Sequence, residues 1–457
     1  MNIGENNKGF LDKIREGFPR AYLPWQKEED AKLRKMFGEN IKVPEMAKIL
    51  ERQPGAIYSR LTKLCLTNDV DMYRQTFIEI DTKALEDNVR TLTSSYPNHD
   101  CYIGVVKGNA YGHGYDIIPN LESAGINYFA VSSLEEALEV RKRSTLPILC
   151  LQPLHAQEAK DCVENDITIT ISNLDLAKEI ARLDLNKDLK AHIKLDTNFH
   201  RLGFREKSEL EQAITILKGN KNIELEGIYS HFATTGVFDK YWDTQLEKFL
   251  ELTQNIDLQQ FKMRHFGRSL TIINHPKIDF CNGVRLGLIM YGLEQSPSRK
   301  ATGLLNKLKL WRRISKTKMQ GVSATTTDIY LPLRTALSLK SEVIELKKIY
   351  KGESLGYGAS WTAQADGVIA IVPVGYADGF SKRNKNGFIF VNNTRFQIVG
   401  EVNMGMITVL VNDTVRVGDA VELIGRNVTI QEVARRTQTG TYEVMCALQN
   451  TLPRILK

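Results

Sequence analysis

The chain of 457 residues is poor in cysteine. Cys65, Cys101, Cys150, Cys162, Cys281 and Cys446 are scattered, with no C-x-x-C motif among them. That spacing points to neither a disulfide framework nor a zinc site, so the thiols are expected to be reduced and no metal is expected. Long apolar runs are also missing. Val368 to Val374 is among the longest, far short of the roughly 18–20 residues a bilayer requires, and the N-terminus has no basic-then-apolar leader pattern. The expectation is a soluble, cytoplasmic protein with no membrane partner. Only 13 residues are proline and 32 glycine, while 42% are hydrophobic and 25% charged, which excludes collagen-like and disordered classes. A formal charge of +7 is small for this length and bears on solubility more than on partners. At about 150 residues per domain, two or three domains are expected.

Residues 1–75 read as a small all-α module of three helices. Glu28, Glu29 and Asp30 suit a helix N-terminus, Leu33, Met36 and Phe37 recur at helical spacing, and a second helix is expected near Val43 to Leu50. Pro54 can open a third helix, with Ile57, Leu61 and Leu64 on its apolar face and Tyr58, Arg60 and Lys63 exposed.

Residues 76–295 change character. Eight short apolar runs alternate with amphipathic helices: Tyr102 to Val106, Tyr128 to Val131, Ile148 to Leu151, Ile167 to Ile171, Ala191 to Leu195, Leu225 to Tyr229, Phe261 to Phe266 and Val284 to Tyr291. This is the pattern of a (β/α)8 TIM-type barrel, whose chemistry sits at the C-terminal ends of the strands. Ser132 or Ser133, followed by Glu135 and Glu136, makes a capping box for one outer helix. Residues 296–330 form a basic linker or insertion, in which Arg299, Lys300, Lys307, Lys309, Arg312, Arg313, Lys316 and Lys318 follow one another with no acidic residue between Arg299 and Lys318. Residues 331–457 read as a C-terminal, mainly-β domain. The overall class is α/β.

The first barrel run leads into Val105-Val106-Lys107-Gly108-Asn109-Ala110-Tyr111-Gly112-His113-Gly114, so Lys107 faces the rim where barrel ligands bind. The last run carries Arg285 ahead of Gly287 and Leu288, where such barrels commonly hold phosphate. Together they suggest a phosphorylated cofactor or substrate.

The 105–114 segment resembles the pyridoxal-phosphate motif of bacterial alanine racemases. So do Lys194-Leu195-Asp196-Thr197, Arg201-Leu202-Gly203, Ser230-His231-Phe232-Ala233, Val284 to Gly292, Gly356-Tyr357-Gly358 and Gly375-Tyr376-Ala377-Asp378-Gly379. The resemblance spans about residues 76–457. It implies an isomerase that interconverts L- and D-alanine for peptidoglycan, working as a homodimer with shared sites and with pyridoxal 5'-phosphate as cofactor. By resemblance, Lys107 holds the cofactor and is one of two bases, and Tyr357 of the other subunit is the second. Arg285 faces the pyridine nitrogen, His231 orients Arg285 and Tyr357, and Tyr111, Ser269, Tyr442 and the backbone near Gly287 and Leu288 hold the phosphate. Arg201, Met404 and Tyr376 meet the substrate, and Lys194 occupies a position the family often carbamylates. His113 is left unassigned, since a histidine in a glycine-rich loop more often makes a local structural bond than acts as a catalyst.

Some residues depart from the family pattern. Asn198, Phe199 and His200 replace the usual Gly-Met and the residue before the arginine, Arg268 replaces an asparagine, and Asn403-Met404-Gly405 replaces Cys-Met-Asp. Gly405 removes a carboxylate, which keeps a serine or broad-specificity racemase open as an alternative. The N-terminal module resembles Myb/SANT-like helix-turn-helix domains, which bind DNA in some cases and protein in others. A racemase-derived, DNA-associated regulator is therefore a second alternative.

Overall fold

The computed structural model describes residues 19–20, 23–39, 41, 43–52, 56–57, 60–61, 64, 74–234, 241–267, 269–274, 277–293 and 331–457. The basic 299–318 segment, Arg268, Tyr58 and Lys63 lie outside them. Contacts divide the chain into two units, residues 1–77 with 450–453, and 78–449 with 454–457.

In the first unit, helices span Lys27–Gly38 and Val43–Ile49. The Gln26 amide donates to Glu29 Oε2 at 3.0 Å, closing the start of the first helix. Leu33, Met36, Met46, Ala47, Leu50, Ile57 and Leu61 form its core. Arg52 is buried and makes a two-pronged pair with Glu29, at 2.8 and 2.9 Å, beneath the Trp25 ring. Arg60, expected on an exposed basic face, is instead gripped by Asp30 at 2.7 and 2.5 Å. The acidic first turn that starts the helix thus also neutralises two of the module's arginines.

The second unit holds a closed barrel of eight parallel strands: β2 (Cys101–Val105), β3 (Tyr128–Val131), β4 (Ile148–Cys150), β5 (Ile167–Ile171), β6 (Leu189–Lys194), β7 (Ile223–Tyr229), β8 (Met263–His265) and β9 (Gly283–Leu286). Pairing of Ile103 with Arg285 helps close β2 onto β9. Most of these strands are buried on both faces, as expected where helices cover a sheet. Ser133 and Asn173 start outer helices by accepting from the Glu136 and Leu176 amides. The expected run from Val284 to Tyr291 is not all strand. It stops at Leu286, and Leu288–Tyr291 is a 3-10 turn, because Gly287 takes a conformation outside the ladder.

β1 (Phe77–Ile80) belongs to a different sheet. That nine-stranded sheet adds β10 (Leu337–Glu342), β11 (Glu345–Ile349), β14 (Gly367–Val372), β15 (Phe388–Val391), β16 (Thr394–Val399), β17 (Ile407–Val411), β18 (Ala420–Ile424) and β19 (Arg454–Leu456), in the order β11-β14-β17-β16-β15-β18-β10-β1-β19. β12 (Ser354–Leu355) and β13 (Trp361–Thr362) form a separate ribbon. Residues 77–80 were expected with the barrel segment. They pair in parallel with 454–456 instead, a partner invisible from local pattern. Asn392 and Asn393, at φ 46° and 61°, turn β15 into β16, a two-residue hairpin that asparagine tolerates.

Candidate active site

β2 ends at Val105, and the chain after it makes a left-handed turn. Gly108, Asn109, Ala110 and Tyr111 have φ of 64°, 52°, 52° and 52°. For each non-glycine residue this costs roughly 1–2 kcal/mol, so the turn persists only where its surroundings hold it. Glu136 Oε1 accepts from the Gly108 amide at 2.6 Å, while its Oε2 accepts from the Ser132 amide and hydroxyl, both at 2.8 Å. Buried His113 donates from Nδ1 to the Ala110 and Tyr111 carbonyls, at 3.0 and 3.2 Å, and stacks on Tyr291. Both of these bonds are local to the loop. Arg454 Nε donates to the Gly112 carbonyl at 3.0 Å. A Cβ at Gly112, itself at φ 82°, would lie 2.4 Å from the Met445 carbonyl, so the helix Thr441–Ala447 packs directly on this loop. Lys107 and Tyr111 are thereby presented from a fixed frame.

Arg285, on β9, is buried in the barrel mouth. Its guanidinium bonds the Ser230 carbonyl at 2.7 Å, the Phe266 carbonyl at 3.2 Å and His231 Nδ1 at 3.1 Å, and makes a short bond to His265 Nδ1. Arginine only donates. His265 must therefore accept at Nδ1 and carry its proton on Nε2, which meets His192 Nδ1 at 3.0 Å. By the same logic His192 is protonated on Nε2, which donates to Glu226 Oε2 at 3.0 Å. Tyr128 also donates to that oxygen, at 2.8 Å. A one-way chain of bonds thus links a guanidinium to a carboxylate through two neutral imidazoles. Burial first, and then the Arg285 charge, keeps the His265 pKa well below the ordinary histidine value. Burial works against the Glu226 carboxylate, but the hydrogen bond from His192, the charge that His192 carries when it is protonated, and the Tyr128 hydrogen bond together lower its pKa. Gly227 leaves room for this path, since a Cβ there would lie 2.6 Å from the His192 ring.

Of these groups, Arg285 and His231 border a cavity of about 570 Å³, which is also lined by Lys107, Tyr111, Lys194, Arg201, Ser269, Gly287, Leu288 and Tyr442, with Cys446 beside them. Ser269 Oγ accepts from the Gly287 amide at 3.0 Å, and a Cβ at Gly287 would crowd both Ser269 Oγ and Tyr111 Oη, at 3.3 and 3.5 Å. One end of the cavity is therefore a hydroxyl-lined cradle, made roomier by the absence of a side chain at Gly287. Burial, then the Arg201 charge, lowers the Lys107 pKa, with Glu136 pulling it back up. The Lys194 amine falls to about 7, through burial and then the charges of Arg201, Arg285 and Lys107.

Tyr357, Tyr376 and Met404 are not among the residues lining that cavity. They lie on the C-terminal domain, 79%, 39% and 62% exposed, and a Cβ at Gly405 would meet nothing within 4 Å. Sequence reasoning missed His192, Glu226 and His265, and it saw Glu136 only as a helix cap. The capping glutamate could have been found by its spacing from Ser132, but the histidine chain has no local signal.

Residues 80–295 match the alanine racemase N-terminal domain, and residues 336–456 the alanine racemase C-terminal domain. The chain is similar to alanine racemase 1 of Bacillus subtilis, at 33% identity over 84% of this chain and 93% of that protein. It is similar to alanine racemase of Halalkalibacterium halodurans at 32%, over 84% and 95%. Among solved structures, alanine racemase from E. faecalis superposes with a TM-score of 0.74 at 30% identity, covering 84% of this chain and 99% of that one. A histidine racemase from Leuconostoc mesenteroides gives 0.73 at 26%, covering 84% and 98%.

Proposed function

The chain belongs to the alanine racemase family, and from that premise we propose that it interconverts L- and D-alanine with two bases, Lys107 and Tyr357, on opposite faces of the substrate Cα. The observation that carries this reading is the convergence of Lys107, Arg285, Tyr111, Ser269 and Tyr442 on one cavity at the C-terminal end of the barrel.

The residues present fit pyridoxal phosphate. An amine at Lys107 would hold it covalently. The Tyr111, Ser269 and Tyr442 hydroxyls and the Leu288 amide would hold its phosphate in the cradle that Gly287 leaves open, and Arg285 would face its ring nitrogen. When bound, this cofactor supplies an electron sink that makes the Cα proton of an amino acid labile. Arginine keeps its own proton, so Arg285 would leave the ring nitrogen unprotonated and restrain competing reactions. Arg201 would receive the substrate carboxylate. Lys107, with its lowered pKa, becomes a neutral base at a lower pH than an ordinary lysine. A single base could remove the Cα proton but not replace it from the other side. Tyr357 is exposed and outside the cavity of its own chain, so the second base would come from a second copy, making the working unit a homodimer. His231 accepts from Arg285 at Nδ1, so its proton is on Nε2, and it would orient Arg285 and the incoming phenol. The family's implied role is D-alanine supply for peptidoglycan.

The test is to purify the protein, record its colour before and after borohydride, and follow Cα deuterium exchange with L- and D-alanine. A yellow protein that inverts both enantiomers, with a Lys107→Ala variant that does neither, is the expected result. A colourless protein would overturn the reading.

A broader substrate range is the second reading. The carboxylate missing at Gly405 favours it, and the similarity to a histidine racemase agrees. Relative turnover of alanine, serine, lysine and histidine separates the two.

A further inference from the structure

The loop after β6 carries residues in which this chain departs from the family pattern, and the geometry gives one of them a task. Asn198 and His200, at φ 68° and 56°, both occupy the left-handed region, where non-glycine side chains are uncommon. Asp196 Oδ1 accepts from the Phe199 and His200 amides, each at 2.9 Å. Tyr241 donates to the Asn198 carbonyl at 2.6 Å, and Gln245 to the Thr197 carbonyl at 2.9 Å. This backbone is pinned from several sides, so the Phe199 ring between the two left-handed residues has a set direction.

The ring lies under Arg201, whose guanidinium carbon is 4.2 Å from its centroid. Phe199 also meets the His231 ring edge to face, at 5.7 Å and 69°, and His231 bonds Arg285. Lys194 and Lys107 also lie near Arg201 and repel it. An exposed arginine is rich in rotamers and loses much freedom when it takes a ligand. A flat aromatic face restricts that freedom in advance, and it also attracts the guanidinium through the ring quadrupole.

We infer that Phe199 is a positioning residue, its ring holding Arg201 in place for the substrate carboxylate and linking it to the His231–Arg285 pair. The inference rests on the proposed racemase reading for the identity of the carboxylate, but not for the stacking itself. Phe199 touches no reacting atom. Its effect is on carboxylate binding, whereas proton transfer by the two bases is left as it is.

The experiment compares the full-length protein with Phe199→Leu, which keeps apolar bulk without a π face, and Phe199→Tyr, which keeps the face. Two quantities are read: KM and kcat for alanine in both directions, and binding of propionate, the alanine skeleton without its amino group, by calorimetry. Phe199→Leu is expected to raise KM and the propionate Kd by about three- to tenfold, the size of one such contact. It should leave kcat within about twofold, and Phe199→Tyr should restore both values. Unchanged KM and Kd in Phe199→Leu would overturn the inference. So would a Phe199→Tyr variant as impaired as Phe199→Leu, which would reduce the ring to a shape filler. If the wild-type protein racemises nothing, the racemase reading fails, and the propionate arm still decides whether Phe199 positions Arg201.

Discussion

Arg285 and His265 share a hydrogen bond in which only the arginine can donate, and that one restriction sets the direction of every bond behind it as far as Glu226. The guanidinium beside the cavity and the carboxylate deep in the barrel are the two ends of a single polarised path. Both are largely withdrawn from water, so each depends on the other for compensation.

Replacing the far end tests this. Glu226→Gln keeps an acceptor for His192 but removes the charge, and is expected to cost about 1–3 kcal/mol of stability. The Glu226 pKa is lowered on folding. Its contribution is therefore fully present above the ordinary glutamate value of about 4.3 and is lost as pH falls through the lowered value. Denaturant unfolding across acid pH should show the wild type losing this increment and the variant lacking it. Identical pH slopes in the two proteins would remove the path from the stability argument.

Glu136 accepts with both oxygens. In Glu136→Gln one oxygen becomes an amide that must face either the Gly108 or the Ser132 N–H, donor against donor. A loss of about 1–3 kcal/mol is expected. Because Glu136 raises the Lys107 pKa, its neutralisation should also move the acid limb of the kcat–pH profile to lower pH. A variant with normal stability and an unmoved profile would show that the left-handed turn does not need this carboxylate.

The Lys194 amine, at about 7, is increasingly neutral above that pH, and the neutral amine is the form that adds carbon dioxide and releases a proton. Isotopically labelled bicarbonate should give a carbamate NMR signal that grows as pH rises through 7 and is missing in Lys194→Ala. The same signal in the variant would assign it elsewhere.

If each site draws its second base from another copy, Lys107→Ala and Tyr357→Phe chains should be inactive alone and active when mixed. In a mixed dimer one site takes both lesions and the other is whole, so random pairing predicts about a quarter of wild-type activity. Continued inactivity after demonstrated subunit exchange would put Tyr357 and Lys107 in the same chain's site.

The barrel was legible because its signal is local. Each buried strand is a short apolar run, and Lys107 and Arg285 stand at the ends of two of them. The left-handed turn, by contrast, was hidden, because Asn109, Ala110 and Tyr111 have no intrinsic taste for it and adopt it under contacts from Glu136, His113 and Arg454. His192, Glu226 and His265 lie on three different strands and meet only when the barrel closes. Arg60 looked like a free basic residue because its partner, Asp30, lies 30 positions earlier, in the first helix. Gly287 was visible, but not that it would divide one apolar run into a strand and a 3-10 turn.

Pairing of Ile78 with Arg454, and the reach of Arg454 back to the Gly112 carbonyl across 342 positions, has a consequence for the order of events during synthesis. On the ribosome, the loop bearing Lys107 emerges long before the arginine that completes its frame. β1 waits just as long for β19, one of its neighbours in the sheet. A nascent chain that stalls after the eighth barrel strand thus carries a lysine loop short of its contacts and an uncovered strand edge, and such an edge is a template for pairing with another chain.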